Sequence, residues 1–459
     1  MTDQFKKFDL KMREGDIPQV IRKVFKDYYK RLLKGDRGLI NEENIDQIDL
    51  IIDQASLEEY ISYGASVIKN VAVLKLNGGL GTSMGVQGAK SLLRLKEDKT
   101  FLDITAEQIL SLREKFDAPI PFILMNSFRT SEGSMKKLSD YPNLAVPNLP
   151  LEFLQSRIPR ISVDDFSPVT WDTDPSLEWC PPGHGDLFPA LERSGLLSKL
   201  CEHEIDYLFV SNIDNLSATL DLAILGWLSK FEIPFVMEVC KRTASDRKGG
   251  HLAKTINGQW ILRELSQCSA EDLDKFQDTS RHRYFNTNNL WLHIPSLKKE
   301  LERGGGCLPL PMICNQKNID SNEPESPLVF QLESAMGSAI QVFERAEAIL
   351  VGRERFLPVK TTNDFLNVSS DAFGVDSNGN IRPERNSPTL VDLDPIFFGT
   401  VKQLRERFPY GPPSLLECSS LSVRGDVCFG RNVSCQGAVN ISTDHSLVIP
   451  DGSRLSGKI

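Results

Sequence analysis

The amino-acid sequence predicts an α/β protein built on a parallel β-sheet, with a helical segment before it and a small all-β domain after it. Four short apolar runs show little alternation between apolar and polar residues, which is typical of strands covered on both faces. They lie at residues 71–76, 119–126, 206–212 and 234–240. Between the first two runs, Ile109, Leu112 and Phe116 lie at helical spacing, so strands and helices alternate as in a parallel sheet.

Residues 1–70 are predicted to form the helical N-terminal segment. Pro18 suits the first turn of a helix, and the apolar residues that follow it recur at helical spacing. A second helix is predicted to begin at Ser56, because Ser56 and Glu59 match a capping box.

The last part of the chain, residues 386–459, is predicted to form a short β-helix. Two series of apolar residues recur every six positions, which is the signature of short strands that stack coil upon coil. The series are Leu415, Leu421, Val427, Val433 and Val439, and Val423, Phe429, Cys435 and Ile441. Irregular β-hairpins are the alternative. A run rich in Asn, Pro and Arg near residues 376–388 marks the boundary, which leaves residues 71–385 as the central domain.

Bulk composition excludes several classes of protein. The formal net charge of −9 argues against nonspecific binding to nucleic acid, although a small anion can still bind where the local charge is positive. The nine cysteines are scattered and form no CxxC pattern, as expected of reduced thiols in a cytoplasmic protein. The sequence has neither an apolar signal core nor a run of about 18 apolar residues, so we expect no membrane association.

The most informative stretch is "LKLNGGLGTSMGVQGAKSLL" at residues 74–93. Three of its glycines give GxGxxxG, one residue longer than the Rossmann fingerprint, and Ala89 separates Gly88 from Lys90 where a P-loop would have glycine directly before lysine. What remains is a strand, a wide glycine loop and a cation. Glycines let backbone N–H groups approach phosphate oxygens, and Lys90 can neutralise part of the charge of a polyphosphate.

This loop closely resembles the nucleotide-binding loop of eukaryotic-type UDP-glucose pyrophosphorylases, also called UTP–glucose-1-phosphate uridylyltransferases. Seven further blocks resemble that family in the family's order and cover most of residues 70–370. They are "LMNSF" (124–128), "FLQSRIPRI" (153–161), "PPGHGD" (181–186), "FVSNIDNL" (209–216), "FNTNNLW" (285–291), "FQLESAMGSAI" (330–340) and "RFLPVKTTNDFL" (355–366).

The resemblance implies a fold, a reaction and a cofactor. The fold is a Rossmann-like, mixed-sheet nucleotidyltransferase core of the GT-A-like type over residues 71–385, followed by a left-handed β-helix. The reaction is the reversible transfer of UMP from UTP to glucose 1-phosphate, which gives UDP-glucose and pyrophosphate. The implied cofactor is Mg²⁺.

Asp214 follows the strand "FVSN", and ligands of α/β sheets bind at the carboxyl ends of strands. A carboxylate at that position can hold Mg²⁺, which takes few protein ligands besides substrate phosphates. A simple Asp–Asn turn is the alternative interpretation of the residues alone. The resemblance assigns Asp214 to the metal and the nucleotide. It also assigns Asn212, Ile213 and Asp214 to the sugar substrate, glucose 1-phosphate.

The resemblance also assigns roles to residues that would not stand out alone. It makes Lys90 and Lys360 the catalytic cations, and it places Gly183 and His184 of the rigid "PPGHGD" turn against glucose 1-phosphate. Asn289 and Glu333 are the candidates for the sugar, with the choice among Asn286, Asn288 and Asn289 left open. The implied nucleotide contacts are Leu76, Asn77, Gly78, Gly79, Lys90, Gln155, Gly183, Asp214 and Lys360.

Two positions depart from the family pattern. The family has proline where this chain has Ala89, and glycine where it has Ser217. We expect the first departure to loosen the approach to Lys90 and to change affinity more than chemistry. Ser217 is expected to adjust a turn.

Other functions remain open from the sequence. A related enzyme could use another sugar 1-phosphate and make a different UDP-sugar or a UDP-N-acetylhexosamine. A catalytically silent nucleotide-sensing or assembly protein is the alternative from another class, although Lys90, His184, Asp214 and Lys360 are all retained. The expected partners are small molecules only, and the chain is either a monomer or a homo-oligomer formed through its C-terminal domain.

Overall fold

A computed structural model describes residues 2–81, 84–86, 88–96, 98–243, 246–320, 323, 325–376, 378–385 and 389–459. Its α-helices are α1 (Thr2–Glu14), α2 (Gln19–Leu33), α3 (Ile61–Ser66), α4 (Phe101–Phe116), α5 (Ser131–Leu138), α6 (Leu187–Arg193), α7 (Leu196–Glu202), α8 (Leu222–Lys230), α9 (Leu273–Gln277), α10 (Ile294–Arg303), α11 (Thr362–Ser369), α12 (Pro395–Phe398) and α13 (Val401–Arg407). Its strands are β1 (Ile45–Asp46), β2 (Ile52–Asp53), β3 (Val71–Asn77), β4 (Arg94–Lys96), β5 (Lys99–Thr100), β6 (Phe122–Asn126), β7 (Glu152–Leu154), β8 (Ile158–Pro159), β9 (Ile161–Ser162), β10 (Trp179–Cys180), β11 (Tyr207–Asn212), β12 (Phe235–Lys241), β13 (His251–Thr255), β14 (Trp260–Arg263), β15 (Tyr284–His293), β16 (Ile313–Asn318), β17 (Leu328–Glu333), β18 (Glu347–Leu350), β19 (Phe373–Val375), β20 (Ile381–Pro383), β21 (Leu390–Leu393), β22 (Ser414–Arg424), β23 (Val427–Phe429), β24 (Ser434–Ser442), β25 (Leu447–Ile449) and β26 (Arg454–Lys458).

A mixed sheet forms the centre of the molecule, with the strand order β2-β18-β12-β15-β11-β3-β6-β7. The four apolar runs are the strands β3, β6, β11 and β12. Parallel pairing joins β11, β3, β6 and β7, but β15 lies between β11 and β12 and runs antiparallel to both. The sheet is therefore mixed, as the family resemblance implied, and the parallel pairing that the apolar runs predicted occurs on either side of β15.

Both faces of the sheet are covered, as the apolar runs predicted. Leu74 on β3 packs into one apolar cluster with Phe188 of α6, whereas its neighbour Val73 packs into another with Ile109 of α4 and Ile224 of α8. Helices thus shield both faces, and the open edge at the carboxyl ends of the parallel strands is left for ligands.

The N-terminal segment is helical only in part. Its strand β2 pairs with β18 and extends the central sheet. The predicted capping box at Ser56 is wrong, because the helical turn there begins at Gln54 and Asp53 caps it through the N–H of Ala55. Ser56 instead donates a hydrogen bond to the carbonyl of Asp53. None of the described helices is long and apolar enough to cross a membrane.

The C-terminal domain consists of parallel strands in two small sheets, β21-β22-β24-β26 and β23-β25. Leu421 pairs with Val439, and Val427 pairs with Leu447, so neighbouring strands lie about one coil of 18 to 20 residues apart. The residues of both predicted apolar series are buried. The β-hairpin alternative is wrong for the described residues, because hairpins pair antiparallel. The predicted boundary run includes residues 377 and 386–388, which lie outside the described residues.

The C-terminal domain also contacts the glycine loop. Met84, near the middle of that loop, is fully buried in one apolar cluster with Phe398 and Leu421 of the C-terminal domain. Gly85 has a φ of +68°, and a Cβ at this position would lie 2.7 Å from the Cγ2 of Thr400. Glycine is therefore required at this contact.

A buried polar cluster joins the N-terminal segment to the sheet. The Glu42 carboxylate accepts hydrogen bonds from Arg263 (2.6 Å), from Arg281 and from Nε2 of His282 (2.9 Å). The ring of His251 stacks on His282 with the centroids 3.8 Å apart, and neither of its nitrogens has a hydrogen-bond partner among the described residues. Burial lowers the pKa of both imidazoles, most strongly that of His251.

We expect this cluster to make the fold sensitive to acid. In the unfolded chain these histidines take up protons near pH 6.5, whereas in the folded protein they stay neutral, so the free energy of unfolding falls as the pH drops below 6.5. Each imidazole contributes up to about 1.4 kcal/mol per pH unit. The variant His251→Phe should lose part of this slope when urea unfolding is measured between pH 7.5 and 5.5.

The control for this experiment is His445→Phe, because the ring of His445 is exposed. Its slope should equal that of the unmodified protein. A His251→Phe slope that is also unchanged would contradict the role of this buried ring.

Candidate active site

Most of the predicted site residues lie where β3, β11 and the segment before α11 meet. The N–H of Ile213 donates to the carbonyl of Leu76 (3.1 Å), so the loop after β11 continues along the end of β3. Asn77 is buried, and its amide donates to the side chains of Asn126 and Ser134 (2.7 and 2.8 Å). The side chain of Asn77 therefore fixes the end of β3 to its neighbours, and its main chain leads into the glycine loop.

Gly78 and Gln155 are in direct contact. A Cβ at Gly78 would lie 2.7 Å from the amide of Gln155, so only glycine lets this side chain lie across the loop. The N–H of Gln155 donates to the carbonyl of Asn126 (2.8 Å), which holds the residue at the end of β6. At Gly79 an added Cβ would meet no atom of the described residues within 4 Å.

The far end of the loop carries an ion pair. Nζ of Lys90 lies 2.7 Å from Oδ2 of Asp214, and the two side chains are only 13% and 16% exposed. The other oxygen, Oδ1 of Asp214, is buried and has no hydrogen-bond partner among the described residues. One carboxylate oxygen thus pairs with a cation, and the other accepts no hydrogen bond from the part of the chain that the structure describes.

The departure at Ala89 lies at a position whose backbone conformation would also accept proline. Ala89 has φ of −64° and ψ of 124°, which are values that proline adopts. Its side chain is buried, and it forms a single β-bridge with Leu80 across the loop. Proline would restrict this conformation further, but alanine already holds it. The other departure, Ser217, donates a weak hydrogen bond to the carbonyl of Ile381 (3.4 Å).

The "PPGHGD" turn lies against the segment after β17. Gly183 has a φ of +81°, and a Cβ there would collide with the carbonyl oxygen of Ser334. The N–H of Ser334 donates to the carbonyl of Pro182 (3.0 Å), and the N–H of Gly185 donates to the carbonyl of Ser334 (2.8 Å). These bonds bring Glu333, at the end of β17, next to the turn.

His184 is held as a neutral hydrogen-bond donor. The N–H of Met336 donates to Nδ1 of His184 (2.9 Å), so in the neutral ring the proton is on Nε2. Burial lowers the pKa of His184 to about 4, and the nearby charge of Lys360 contributes to this shift. At neutral pH the ring can donate from Nε2 but is not charged.

Lys360 projects from a loop that is tied to Asp214. The N–H of Val359 donates to the carbonyl of Asp214 (3.1 Å), and the N–H of Lys360 donates to Asp364 in the first turn of α11 (2.9 Å). The Lys360 side chain is exposed. Its charge favours the neutral form of His184 and the ionised form of Glu264, so it lowers the pKa of both groups.

Glu264 is a candidate that the sequence interpretation missed. Burial raises the pKa of this carboxyl group, and the charge of Lys360 opposes the shift. A Cβ at Gly250 would lie 2.5 Å from the Glu264 carboxylate. The adjacent glycines 249 and 250 could have indicated a site here, because glycines allow a side chain to approach the backbone closely.

The three asparagines of "FNTNNLW" have different environments. Asn289 is fully buried and donates to Glu238 (3.0 Å). Asn286 is also buried, and its amide donates to the side chain of Asn288 (3.0 Å). Asn288 alone among the three is partly exposed, and its φ of +59° belongs to a β-bulge opposite β12. A sugar contact from Asn289 stays a prediction, and its side chain already has a buried partner.

A cavity of about 770 Å³ opens beside the glycine loop. Gly78, Gly79, Gln155 and Glu333 line it, so the structure brings these predicted residues together. Its lining also carries four cations, Arg129, Arg157, Arg160 and Lys317, against Glu333 as the only acid among the described lining residues. A second cavity, of about 560 Å³, is lined by Lys75, Gln108 and Asp221 and contains none of the predicted site residues.

Arg157 is held between two aromatic rings at this cavity. Its guanidinium lies 4.6 Å from the ring centroid of Trp179 and 5.7 Å from that of Phe128. Such contacts fix a planar guanidinium while leaving its N–H edge free to bind anions. The local charge of the cavity is therefore positive although the protein as a whole is anionic.

Comparison with known proteins identifies the family. Residues 22–436 match the family model described as UTP–glucose-1-phosphate uridylyltransferase. The chain belongs to this family. The UTP–glucose-1-phosphate uridylyltransferase of Solanum tuberosum is 38% identical over 412 residues, which are 88% of this chain and 84% of that protein. The prediction made from the glycine loop and the seven blocks is thus confirmed.

Solved structures of the uridylyltransferase family share the fold over nearly the whole chain. The UDP-glucose pyrophosphorylase of Leishmania major, known in open and closed structures, superposes with a TM-score of 0.93 at 39% identity and covers 100% of this chain and 99% of its own. A single-residue mutant of that enzyme, in complex with UDP-glucose, gives a TM-score of 0.92 at 40% identity and covers 99% of each chain. The mixed α/β core is therefore the family core.

We expect Arg157 to assist the capture of an anionic nucleotide. Exposed cations accelerate the approach of anions, and salt screens this effect. The variant Arg157→Gln should lower kcat/KM for UTP by about 3- to 10-fold at low ionic strength while leaving kcat nearly unchanged. The deficit should shrink in about 0.5 M salt. Arg454→Gln, which removes an exposed charge from the C-terminal domain, is the control. An equal loss in both variants, or a loss independent of salt, would contradict this role.

Proposed function

We propose that this chain catalyses the reversible transfer of UMP from UTP to glucose 1-phosphate, which gives UDP-glucose and pyrophosphate. The observation that carries the proposal is the Lys90–Asp214 ion pair at the end of the glycine loop, together with the hydrogen bond from the N–H of Val359 that joins the Lys360 segment to Asp214. These are groups that bind and neutralise phosphates. The names and complexes of the relatives agree with this reaction.

The reaction needs no general base. A nonbridging oxygen of the sugar phosphate attacks the α-phosphorus of UTP, and the bond from that phosphorus to the bridging β-phosphate oxygen breaks as pyrophosphate leaves with the electron pair. The attacking oxygen is already ionised at neutral pH. His184 is suited to donate a hydrogen bond, because its Nδ1 is occupied by the N–H of Met336. Catalysis then consists of positioning and electrostatic stabilisation.

The cations have separate tasks in this proposal. Lys360 offsets the repulsion between the two substrates as the sugar phosphate approaches. Lys90, at the end of the glycine loop, stabilises the charge that develops on the departing pyrophosphate. Glycine loops supply backbone N–H groups to phosphates, and the open space around Gly79 leaves room for them.

The residues fit Mg²⁺ as the cofactor. Oδ1 of Asp214 is a buried carboxylate oxygen without a partner among the described residues, and no cluster of three or more His, Cys, Asp or Glu ligands occurs in the described part of the chain. A single carboxylate suits Mg²⁺, which completes its shell with substrate phosphates and water. When bound, the ion would neutralise part of the negative charge on phosphate oxygens and make the phosphorus under attack more electrophilic.

The remaining assignments are proposals of the same kind. Leu76, Asn77, Gly78, Gly79, Gln155 and Gly183 are assigned to the nucleotide, and Gly183, His184, Asn212, Ile213, Asn289 and Glu333 to the sugar phosphate. The contact between Gly78 and Gln155 supports a shared nucleotide subsite. The bonds between the His184 turn and Ser334 support a shared sugar subsite for His184 and Glu333.

The detailed fold type, the domain boundaries, the association of chains and the location in the cell are proposed together with this function. We assign the core to the GT-A-like type and the C-terminal domain to a left-handed β-helix; stacked parallel strands and the hexapeptide repeat support the latter. Boundaries at residues 70 and 385 and association through the C-terminal domain stay predictions. All nine cysteines are free thiols, which supports a reducing, cytoplasmic location.

The test is pyrophosphate release from UTP, Mg²⁺ and a panel of sugar 1-phosphates. We expect release with glucose 1-phosphate and a turnover at least about 100-fold lower in Lys360→Ala, because a cation that stabilises the transition state is lost. Lys402→Ala, which removes an 86% exposed lysine of the C-terminal domain, is the matched control.

Each other outcome would reject a part of the proposal. Release only with an amino-sugar phosphate would identify a UDP-N-acetylhexosamine enzyme. No release with any sugar, together with UTP binding, would indicate a nucleotide-sensing protein. Normal turnover in Lys360→Ala would remove that lysine from the chemistry.

A further inference from the structure

The two segments that carry Asp214 and Lys360 meet at one short contact. Asp214 lies in the loop after β11, and Lys360 lies between β18 and α11, so each projects from irregular chain. The main chains are joined by one isolated antiparallel bridge, between Asn215 and Pro358, with a hydrogen bond from Val359 to the carbonyl of Asp214. The spacing of the two charged side chains therefore depends on this contact.

Pro358 has no N–H, so it adds no main-chain hydrogen bond of its own to this contact. The side chain of Asn215 adds two hydrogen bonds between the two segments. Its Oδ1 accepts from the N–H of Leu357 (3.0 Å), and its Nδ2 donates to the carbonyl of Arg355 (3.1 Å). Asn215 is 1% exposed, so both bonds are shielded from water. One amide thus binds the two main-chain groups on the N-terminal side of Pro358.

Arg355, at the start of the segment that Asn215 holds, is itself bound to the central sheet. The Arg355 guanidinium donates to both oxygens of Glu238 (2.7 and 3.0 Å) and to the carbonyl of Thr219 (2.9 Å). Glu238 is fully buried on β12 and also accepts from Trp291 of β15 (2.9 Å). Arg355 therefore fixes one end of the segment to the sheet, and Asn215 fixes its course toward Lys360.

We propose that Asn215 is a positioning residue for the uridylyl transfer, which sets the distance between the Lys360 ammonium and the Asp214 carboxylate. Its Nδ2 also lies 3.5 Å from Oδ1 of Asn289, but its two shorter hydrogen bonds go to the segment that leads to Lys360, and it acts through that residue. The inference rests on the proposed roles of Lys360 and Asp214. A misplacement of about 1 Å at a reacting group can lower a rate by about 100-fold, and a single amide that fixes a proline-interrupted contact controls displacements of that size.

The test is a double-mutant cycle of Asn215→Ala and Lys360→Ala. Turnover is measured by single-turnover conversion of labelled UTP with excess enzyme, so that slow variants remain measurable. Asn215→Ala alone should lower turnover by about 10- to 100-fold and should change kcat and KM in the same proportions as Lys360→Ala does. In the Lys360→Ala background the same substitution should cost less than about 3-fold, because the group that it positions is already absent.

A control separates positioning from loss of stability. Asn367→Ala removes an amide of α11 that donates to the carbonyl of Thr389 (3.0 Å), away from Lys360. We expect both alanine variants to lower the unfolding midpoint, but only Asn215→Ala to lower turnover well below that midpoint.

The outcomes distinguish this proposal from the proposed function. If the unmodified protein releases no pyrophosphate, the function itself fails. If it is active and Lys360→Ala is impaired, but Asn215→Ala is either normal or fully additive with Lys360→Ala, the function stands and the positioning role is wrong.

Discussion

The ion pair between Lys90 and Asp214 connects the parts of the site that come from distant regions of the chain. Lys90 ends the glycine loop, whose middle is packed on the C-terminal domain through Met84. Asp214 begins the loop after β11 and accepts the N–H of Val359, which leads to Lys360. A charge that is only 13% exposed needs a partner of opposite sign. The pair therefore fixes the end of the glycine loop against the loop after β11.

Other buried charged groups also hold loops of the site in place. Burial lowers the pKa of Lys75 to about 7, and its ammonium donates to Ser211 and to the carbonyl of Ala218 (both 2.7 Å), which secures the loop beyond Asp214. Arg355 and Glu238 secure the segment before Lys360. These two loops of the site are each held by a charged group anchored in the sheet. A site made of loops can thereby keep the precise spacing that phosphate chemistry needs.

The sequence predicted those features of the fold that depend on residues close together in the chain. The apolar runs specified β3, β6, β11 and β12, and the hexapeptide repeat specified the stacked strands of the C-terminal domain. The glycine loop and the "PPGHGD" turn marked positions where a Cβ would collide, as at Gly78 and Gly183. Local sequence signals did not predict features that depend on contacts between segments far apart in the chain. The antiparallel course of β15, the burial of Asn289 and the place of Glu264 near Lys360 depend on which strands become neighbours. The contacts of Arg157 with Phe128 and Trp179 likewise join residues that are far apart in the chain and follow no repeating pattern.

The most direct test of this account is the turnover of Asp214→Asn compared with its affinity for UDP-glucose. The substitution keeps the size of the side chain but removes the charge that pairs with Lys90 and the proposed Mg²⁺. The account predicts that pyrophosphate release at saturating substrates and Mg²⁺ falls at least about 100-fold, and that the affinity for UDP-glucose without metal falls by a smaller factor, because the buried Lys90 loses its partner. Turnover close to that of the unmodified protein would contradict a central role for this carboxylate.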